Sequence, residues 1–243
     1  MKPDLLIFSI ALNGYQYLYR DCVESHRTYA KKHDYCYQVV SRPFITELGS
    51  ECCWLKLTLS LSAFNAGYQK VLFVDADAFI NQDAPAIENI IQAGKHVYLA
   101  KSYTGRFNSG VIFMLNHQET ITWLQKILAS RMTSVSNADS VGWGENGHII
   151  KHSKNRTFIE TIDSRWNNTY DPDLDDYIRH FCYGPLRQNR LLSFCHRIIS
   201  KITRGITKSK CIANKYKLYT QQKDPLKTLT DLVLEHYPRF KQY

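Results

Sequence analysis

The stretch KVLFVDADAFI, Lys70 to Ile80, decides the fold, because its apolar run ends in two acidic residues. Val71 to Val74 is typical of a strand buried on both faces of a parallel sheet. Asp75 and Asp77 follow at the carboxyl end of that strand, where α/β sheets hold their ligands. Residues two apart in an extended segment point to the same side, so the two carboxylates converge and repel unless a cation lies between them. The motif predicts a divalent metal site, although acidic pairs after strands also form turns and helix caps.

The segments before this strand alternate between two patterns. Apolar and aromatic runs predict strands over 5–10 and 35–40. Apolar spacing of three and four residues predicts helices over 17–33 and 54–67, the second ending at Gly67. Strands that alternate with helices are typical of parallel sheets with right-handed crossovers. The sequence therefore predicts an α/β fold.

Composition limits the class of protein. The chain has 243 residues, 44% of them hydrophobic, which suits one sizeable core. The apolar run near the start is too short for a signal peptide, and none is long enough to span a membrane, so we expect a cytoplasmic location. Seven scattered cysteines without a CxxC pair indicate reduced thiols rather than a disulfide framework or a zinc site.

The net charge of +9 belongs to the end of the chain. Residues 186–243 carry 13 Lys or Arg and 3 Asp or Glu, against 18 and 19 in residues 1–185. Within this tail, Leu191 to Lys210 spaces its apolar residues along one helical face and its basic residues elsewhere. Such a segment either lies on an anionic membrane surface or packs against the main domain. A basic tail also attracts nucleic acid, but the chain has no recognised nucleic-acid module, so no nucleic acid partner is expected.

Two later motifs place polar groups beside apolar segments. In RFNSGVIFML, Arg106 to Leu115, a polar turn at Asn108 to Gly110 leads into an apolar strand, and its glycine would let backbone approach a ligand. In IRHFCYGP, His180 lies between apolar neighbours. Neutral imidazole joins carboxylates on transition metals, but a lone histidine is also common as a structural residue. Both motifs leave a binding and a structural interpretation open.

Read in order, the motifs WLK, VLFVDADAFI, FNSGVIFM, DSRWNN and HFCYG resemble those of GT-A-fold nucleotide-sugar glycosyltransferases. The resemblance is to two retaining groups. One contains glycogenin and the lipopolysaccharide galactosyl- and glucosyltransferases (family 8), and the other contains xyloglucan xylosyltransferase and yeast galactosyl- and mannosyltransferases (family 34). It implies a GT-A (Rossmann-like) mixed, mainly parallel sheet flanked by helices. Residues 1–185 would form the nucleotide-sugar-binding catalytic domain, and 186–243 a basic helical extension.

The resemblance also implies roles for individual residues. Asp75, Asp77 and His180 would bind Mn²⁺ or Mg²⁺, and the histidine favours Mn²⁺. The implied donor-binding residues are Asn13, Tyr17, Lys56, Asp75, Ala76, Asn108, Ser109, Gly184 and Arg187. The implied acceptor-binding residues are Trp166 and Asn167, and the candidate catalytic carboxylates are Glu145 first and Asp139 second.

For several of these residues a structural interpretation stays open. Lys56 also suits a solvated helix, Trp166 a buried core, and Glu145 and Asp139 a surface turn. Two motifs depart from the family pattern. Glu145 and Asn146 replace an Asp-Gln pair, and Arg187 or Arg190 would have to replace a phosphate-facing lysine.

The function implied is metal-dependent transfer of a hexose or pentose from a nucleotide diphosphate sugar, which we expect to be UDP-linked, to a glycan or lipid-linked saccharide, with retention. The alternatives are an inverting transferase, with Glu145 or Asp163 as base, and a non-catalytic nucleotide-sugar-binding protein. If the tail lies on a membrane, the location becomes peripheral on the inner face of the cell membrane.

Overall fold

In the computed structural model, the protein is described at residues 4–43, 50–141, 144–182 and 224–241, and at single positions between 186 and 209. Six strands form the main sheet in the order β2-β1-β3-β6-β5-β7, and two form a separate small sheet. The main-sheet strands are β1 (Leu5–Ile10), β2 (Cys36–Val40), β3 (Lys70–Val74), β5 (Val97–Lys101), β6 (Phe107–Leu115) and β7 (Ile159–Ile162). The small sheet contains β4 (Ala78–Ile80) and β8 (Ile178–His180).

The main helices cover both faces of the large sheet. They are α1 (Tyr15–Leu18), α2 (Arg20–Lys32), α3 (Glu51–Asn65), α4 (Gln118–Ala129), α5 (Asn146–Ser153) and α6 (Pro225–His236). Short 3-10 turns occupy Ile87–Ile90, Ser164–Trp166 and Pro238–Phe240. The helix predicted over 54–67 begins earlier and ends two residues before Gly67. The one predicted over 17–33 is split in two at Tyr19, the residue that caps α1 and precedes α2.

The predicted α/β fold with a mixed, mainly parallel sheet is confirmed. Strand β1 runs parallel to β2 and β3, and β5 runs parallel to β7. Strand β6 is antiparallel to both of its neighbours, β3 and β5. Because β6 runs the opposite way, its first residues lie at the same edge of the sheet as the end of β3.

Alternate side chains of each strand enter two separate cores, as the two-residue period of a strand requires. Phe8 and Phe73 face the core formed with α3, α4 and α6, whereas Ile7 and Leu72 face the core formed with α2 and the small sheet. Helix α3 carries apolar residues over most of its circumference because it packs against the sheet and against other helices.

The described C-terminal helix, α6, belongs to the first of these cores. Leu229 and Val233 are fully buried there, and the hydroxyls of Thr58 and Thr230 lie 2.9 Å apart. Phe240 meets Phe8 edge to face, with ring centroids 5.4 Å apart. The boundary at 185 and the tail segment 191–210 stay predictions, since that segment lies almost wholly outside the described residues. No helix in the described part of the chain has the length and apolar character needed to cross a membrane.

One local prediction was wrong. Asn108, Ser109 and Gly110 do not form a turn but are the second to fourth residues of β6. The turn comes earlier, at 102–106, where the Ser102 amide donates to Arg106 O at 2.9 Å. Polar residues occur inside this strand because they line the edge of the sheet where a cleft opens.

Candidate functional site

The acidic motif forms a tight turn between β3 and β4. The amide of Asp75 donates to Gly110 O at 2.7 Å, which continues the ladder with β6, and the amide of Ala78 donates to Asp75 O at 3.0 Å. His26 of α2 holds the far side of this turn through Nε2 and Ala78 O, 2.6 Å apart. The two carboxylates therefore converge, as predicted, but through a turn rather than an extended segment.

His180 joins the two carboxylates because β8 pairs with β4. Ala78 lies directly opposite His180 in the small sheet. The imidazole is 2% exposed, and its Nε2 lies 3.3 Å from Asp77 Oδ1 and 3.7 Å from Asp75 Oδ2. Burial lowers the pKa of His180, but the charge of Asp77 and Asp75 raises it, and the net direction is upward. Burial raises the pKa of Asp75 to about 6.

The histidine ring is oriented by a neighbour that the sequence assigned to the acceptor. Asn167 Oδ1 lies 2.9 Å from His180 Nδ1, and its Nδ2 donates to Asn108 O and Oδ1 at 3.2 and 3.0 Å. An amide oxygen only accepts, so Nδ1 carries a proton, and in the neutral imidazole Nε2 keeps the lone pair that a metal ligand needs. Nε2 is buried and has no hydrogen-bond partner among the described residues.

These three side chains fit a divalent cation. Their ligand atoms all lie within 4.8 Å of one another. Adjacent oxygen ligands of a cation with bonds near 2.1 Å are about 3 Å apart, close to the separations between His180 Nε2 and the carboxylates. A cation would also give His180 Nε2 a ligand bond and would relieve the repulsion between Asp75 and Asp77.

The absence of a side chain at Gly110 leaves room for the candidate metal ligands. A Cβ built on Gly110 would overlap the His180 ring and lie 2.9 Å from Asp75 Oδ2. Any other residue would therefore have to displace a candidate metal ligand. The sequence predicted that backbone at this glycine approaches a bound molecule closely. In the structure it approaches the side chains of His180 and Asp75, the candidate metal ligands.

Lys56 is buried in the site and is not a solvated helix residue. Its Nζ lies 3.4 Å from Asp75 Oδ1, 2.9 Å from Glu145 Oε1 and 3.1 Å from Ser109 O, and 4.5 Å above the Phe73 ring. Burial lowers the pKa of Lys56, but Asp75 and Glu145 outweigh it and the net direction is upward. Glu145 Oε1 also accepts from Ser109 Oγ at 2.6 Å. Lys56 thus links the turn that carries the candidate metal ligands to the first candidate catalytic carboxylate.

A cleft of about 1000 Å³ opens above these residues, at the edge of the sheet where β1 and β3 end and β6 begins. The sequence-predicted residues that line it are Asn13, Lys56, Asp75, Ala76, Asp77, Asn108, Ser109, Glu145 and His180. A cleft of this size suits a nucleotide-sugar-sized ligand. Residues far apart in the sequence thus meet at one surface, with Asn13 on the β1 side and Glu145 beyond β6.

Four described residues from the predicted set lie away from the cleft wall. Tyr17 is 47% exposed on α1, and Tyr15 lines the cleft in its place. Asp139 is bound by Lys154 at 2.6 Å and Ser136 at 2.8 Å, which lowers its pKa. Trp166 packs in the second core, 4.9 Å from the Tyr177 ring, and Asn167 lies behind His180. Gly184 and Arg187 lie outside the described residues.

Sequence reasoning missed three positions that shape the site. Asn146 accepts from the Ser109 amide at 3.0 Å and donates to Phe107 O at 3.1 Å, so it ties the start of α5 to β6. The neighbouring thiols of Cys52 and Cys53 line the cleft. Their adjacency was visible in the sequence, but their position on the wall of the cleft was not.

A second group of side chains that could hold a metal ion lies at the opposite edge of the sheet. His96 precedes β5 and His117 precedes α4, and their rings stack with centroids 3.7 Å apart. Glu119 Oε2 lies 3.3 Å from His96 Nε2. His117 Nδ1 already accepts from the Glu119 amide at 3.3 Å as the cap of α4, so this group suits a cation less well than the first.

Comparison with known proteins shows the fold. No family model and no curated protein sequence matches the chain. Solved structures share its fold at low sequence identity. A glycosyltransferase involved in the glycosylation of the major capsid of PBCV-1 has a TM-score of 0.59 and 16% identity, with 82% of this chain and 100% of that chain covered. The glycosyltransferase GlyE of Streptococcus pneumoniae TIGR4 has a TM-score of 0.52 and 14% identity, with 91% and 66% covered.

The galactosyltransferase LgtC, solved with donor and acceptor sugar analogs, has a TM-score of 0.51 and 11% identity, with 82% of this chain and 95% of that chain covered. Identities this low support a statement about fold and not about activity. The chain has the GT-A fold of these glycosyltransferases.

Proposed function

We propose that the protein is a metal-dependent glycosyltransferase. It transfers a hexose or pentose from a nucleotide diphosphate sugar, UDP-linked, to a glycan or lipid-linked saccharide. The observation that carries the proposal is the convergence of Asp75, Asp77 and His180 at the base of the cleft, with a buried imidazole nitrogen that has no hydrogen-bond partner among the described residues and faces the two carboxylates. The fold shared with solved glycosyltransferases supports it.

Asp75, Asp77 and His180 would hold the ion. A bound divalent cation neutralises the charge that develops on the diphosphate leaving group. The imidazole favours Mn²⁺ over Mg²⁺, which prefers an all-oxygen set with retained waters. Asn167 keeps the proton of His180 on Nδ1, so the opposite nitrogen stays available as a ligand.

The positions of the lining residues support an order along the cleft. Asn13 and Tyr15 lie past the end of β1, on one side of the candidate metal ligands. Asn108, Ser109 and Glu145 lie on the other side, at β6 and the start of α5. A donor that places its diphosphate at the ligands then has its nucleoside beside Asn13 and its sugar beside Glu145.

Glu145 is the candidate carboxylate for the sugar. It is 3% exposed, lines the cleft and is held by Ser109 and Lys56, so its position is set before substrate binds. A fixed negative group beside the anomeric carbon stabilises an oxocarbenium-like transition state. Asp139 is engaged by Lys154 away from the cleft wall, and Asp163 is exposed and caps a 3-10 turn. Retention is part of the proposal, and an inverting reaction with Glu145 as base is the alternative.

The test is nucleotide release from a panel of UDP- and GDP-sugars with Mn²⁺, comparing the intact chain with Asp77→Ala. We expect slow hydrolysis of one donor, reduced at least about 100-fold by the substitution and abolished by EDTA. Asp173→Ala removes an exposed acid elsewhere and is the matched control. No release, and no metal-dependent binding of any of these nucleotides, would refute the proposal.

Two refinements sharpen this experiment. The first uses a His117→Ala background, which removes the second candidate metal group. The number of Mn²⁺ ions bound per chain, measured in that background, then reports the cleft alone. Nucleotide binding without turnover on any donor or acceptor would identify a non-catalytic binding protein. With an acceptor in hand, the anomeric configuration of the product, read by NMR, separates retention from inversion.

The acceptor side rests on the sequence. The lipid-linked acceptor, the anionic membrane surface and the peripheral location depend on the basic segment 191–210, and they stay predictions, as does the cytoplasmic location. Binding to anionic liposomes by the full chain, and its loss when the basic residues of 191–210 are replaced by glutamine, is the measurement that bears on the membrane surface. Truncation at Arg190 would also remove α6 from the core, so substitution is the cleaner test.

A further inference from the structure

Two neighbouring cysteines lie on the wall of the cleft in the first turn of α3. The sulfurs of Cys52 and Cys53 are 3.9 Å apart, and both side chains are partly buried. Behind them, the Cβ that Gly144 lacks would lie 3.2 Å from Cys53 Cβ, so the chain packs closely against the pair. The two thiols are thus held side by side, and both line the cleft.

The surroundings favour reaction at Cys52. The hydrogen bond with Cys53 lowers the pKa of Cys52, and this outweighs burial and the carboxylate of Glu145, which raise it. The ammonium of Lys56, one helical turn later, lowers that pKa further, against a smaller opposing contribution from Glu51. The thiolate is the form that attacks an electrophilic centre. Cys53, as the donor of that bond, keeps its proton until a second bond forms.

A direct disulfide between these residues does not fit the fold. Disulfides need Cα atoms roughly 4.4–6.8 Å apart, whereas adjacent residues are about 3.8 Å apart across a trans peptide. A helix cannot adjust that distance without losing its first turn. A third atom between the sulfurs removes the constraint, because it spans their separation without moving the backbone.

We propose that Cys52 and Cys53 form a dithiol site in the cleft that binds one thiophilic centre of the trivalent-arsenical class through both sulfurs. With the hydrate of phenylarsine oxide, two arsenic–sulfur bonds form and two arsenic–oxygen bonds break. Two waters leave with the two thiol protons, and no atom changes oxidation state. The adduct occupies the wall beside Lys56 and excludes a nucleotide from the cleft.

The experiment is intact-mass analysis of the full chain treated with phenylarsine oxide. We expect one phenylarsenic group per chain, located on 52–53 by peptide mapping. We also expect release by 2,3-dimercaptopropanol but not by an equal concentration of a monothiol. Cys52→Ser and Cys53→Ser should each weaken the adduct at least about 100-fold, because each removes the chelate. Cys182→Ser, at another thiol that lines the cleft, should leave it intact.

Two results would overturn the proposal. One is a folded wild-type chain that takes no adduct, and the other is an adduct that survives in either Cys52→Ser or Cys53→Ser. Mapping in the wild type keeps the test decisive even if a variant folds poorly. Adduct formation needs neither metal nor nucleotide, so its outcome is independent of the proposed glycosyl transfer. Protection by UDP with Mn²⁺ then reports whether the two ligands share the cleft.

Discussion

The ring of His180 is held by Asn167, whose Oδ1 lies 2.9 Å from Nδ1 of the histidine. The contact decides which nitrogen faces Asp75 and Asp77. Asn167 stands well before His180 in the sequence and meets it because the 3-10 turn at Ser164–Trp166 packs beside β8. Partners of this kind set ligand orientation and basicity in metal sites.

Asn167→Ala should therefore weaken Mn²⁺ binding about 10- to 100-fold, because His180 loses the acceptor that holds its tautomer. Asn167→Asp keeps an acceptor at the same place and should retain most of the affinity. Titration of Mn²⁺ by electron paramagnetic resonance measures both. Equal losses in the two variants would mean that the contact with Asn108, rather than the one with His180, is what matters.

Gly110→Ala should disrupt the metal site directly. The added methyl overlaps His180 and approaches Asp75, so one ligand has to move, and Mn²⁺ affinity should fall at least about 10-fold. Gly67→Ala is the control, since its positive φ of 93° is strained by alanine but nothing lies within 4 Å. Thermal unfolding should show a loss in both variants, and metal titration a loss only in Gly110→Ala.

The buried ion pair between Lys56 and Glu145 should appear as a coupling energy. Lys56→Met leaves Asp75 and Glu145 without their cation and should lower the free energy of unfolding by about 3 kcal/mol. Glu145→Gln combined with Lys56→Met should recover part of that loss, since one of the unpaired charges is gone. Urea unfolding at pH 7 gives the double-mutant cycle. The exposed pair Lys227 and Asp231 is the reference, and a coupling no larger than its value would contradict this account.

His26 should make stability depend on pH. Burial lowers the pKa of His26 to about 4, and its ring is bonded to Ser9 and to Ala78 O in the neutral form. Between pH 6.5 and 4 the unfolded chain binds the proton and the folded chain does not, so stability falls as pH falls. The expected loss from pH 7 to pH 5 is about 2 kcal/mol.

Urea midpoints across this range measure that slope in the wild type and in His26→Gln. Carboxylates contribute equally to both proteins, so the difference isolates the histidine. The variant should be less stable at pH 7 yet flatter with pH. A wild-type slope that persists unchanged in His26→Gln would assign it to other groups.

Local pattern was sufficient for the elements of the first half of the chain and for the acidic motif. Runs such as Leu5–Ile10 and Val71–Val74 are apolar on both faces, and only a buried strand accommodates that. Their alternation with helices predicted the mainly parallel sheet, because crossovers leave few other topologies. The position of Asp75 and Asp77 after β3 then located the cleft edge before any contact was known.

Contacts between distant segments decided the rest. The burial of Lys56 and the packing of Trp166 in the core depended on which elements pack against these residues. The spacing of apolar or aromatic residues along the sequence carries no information about that packing. Asn108 to Gly110 resembled a turn because polar residues are common there, yet they are strand because Phe107 pairs with Lys101 of β5 and Gly110 O accepts from the Asp75 amide. The sequence by itself determined the first three strands of the sheet, the helices between them and the two acidic residues, since these follow from short-range periodicity and burial. Only the tertiary structure brought His180, Asn167, Gly110 and Glu145 to those acids, because strand pairing across long sequence separations sets their distances.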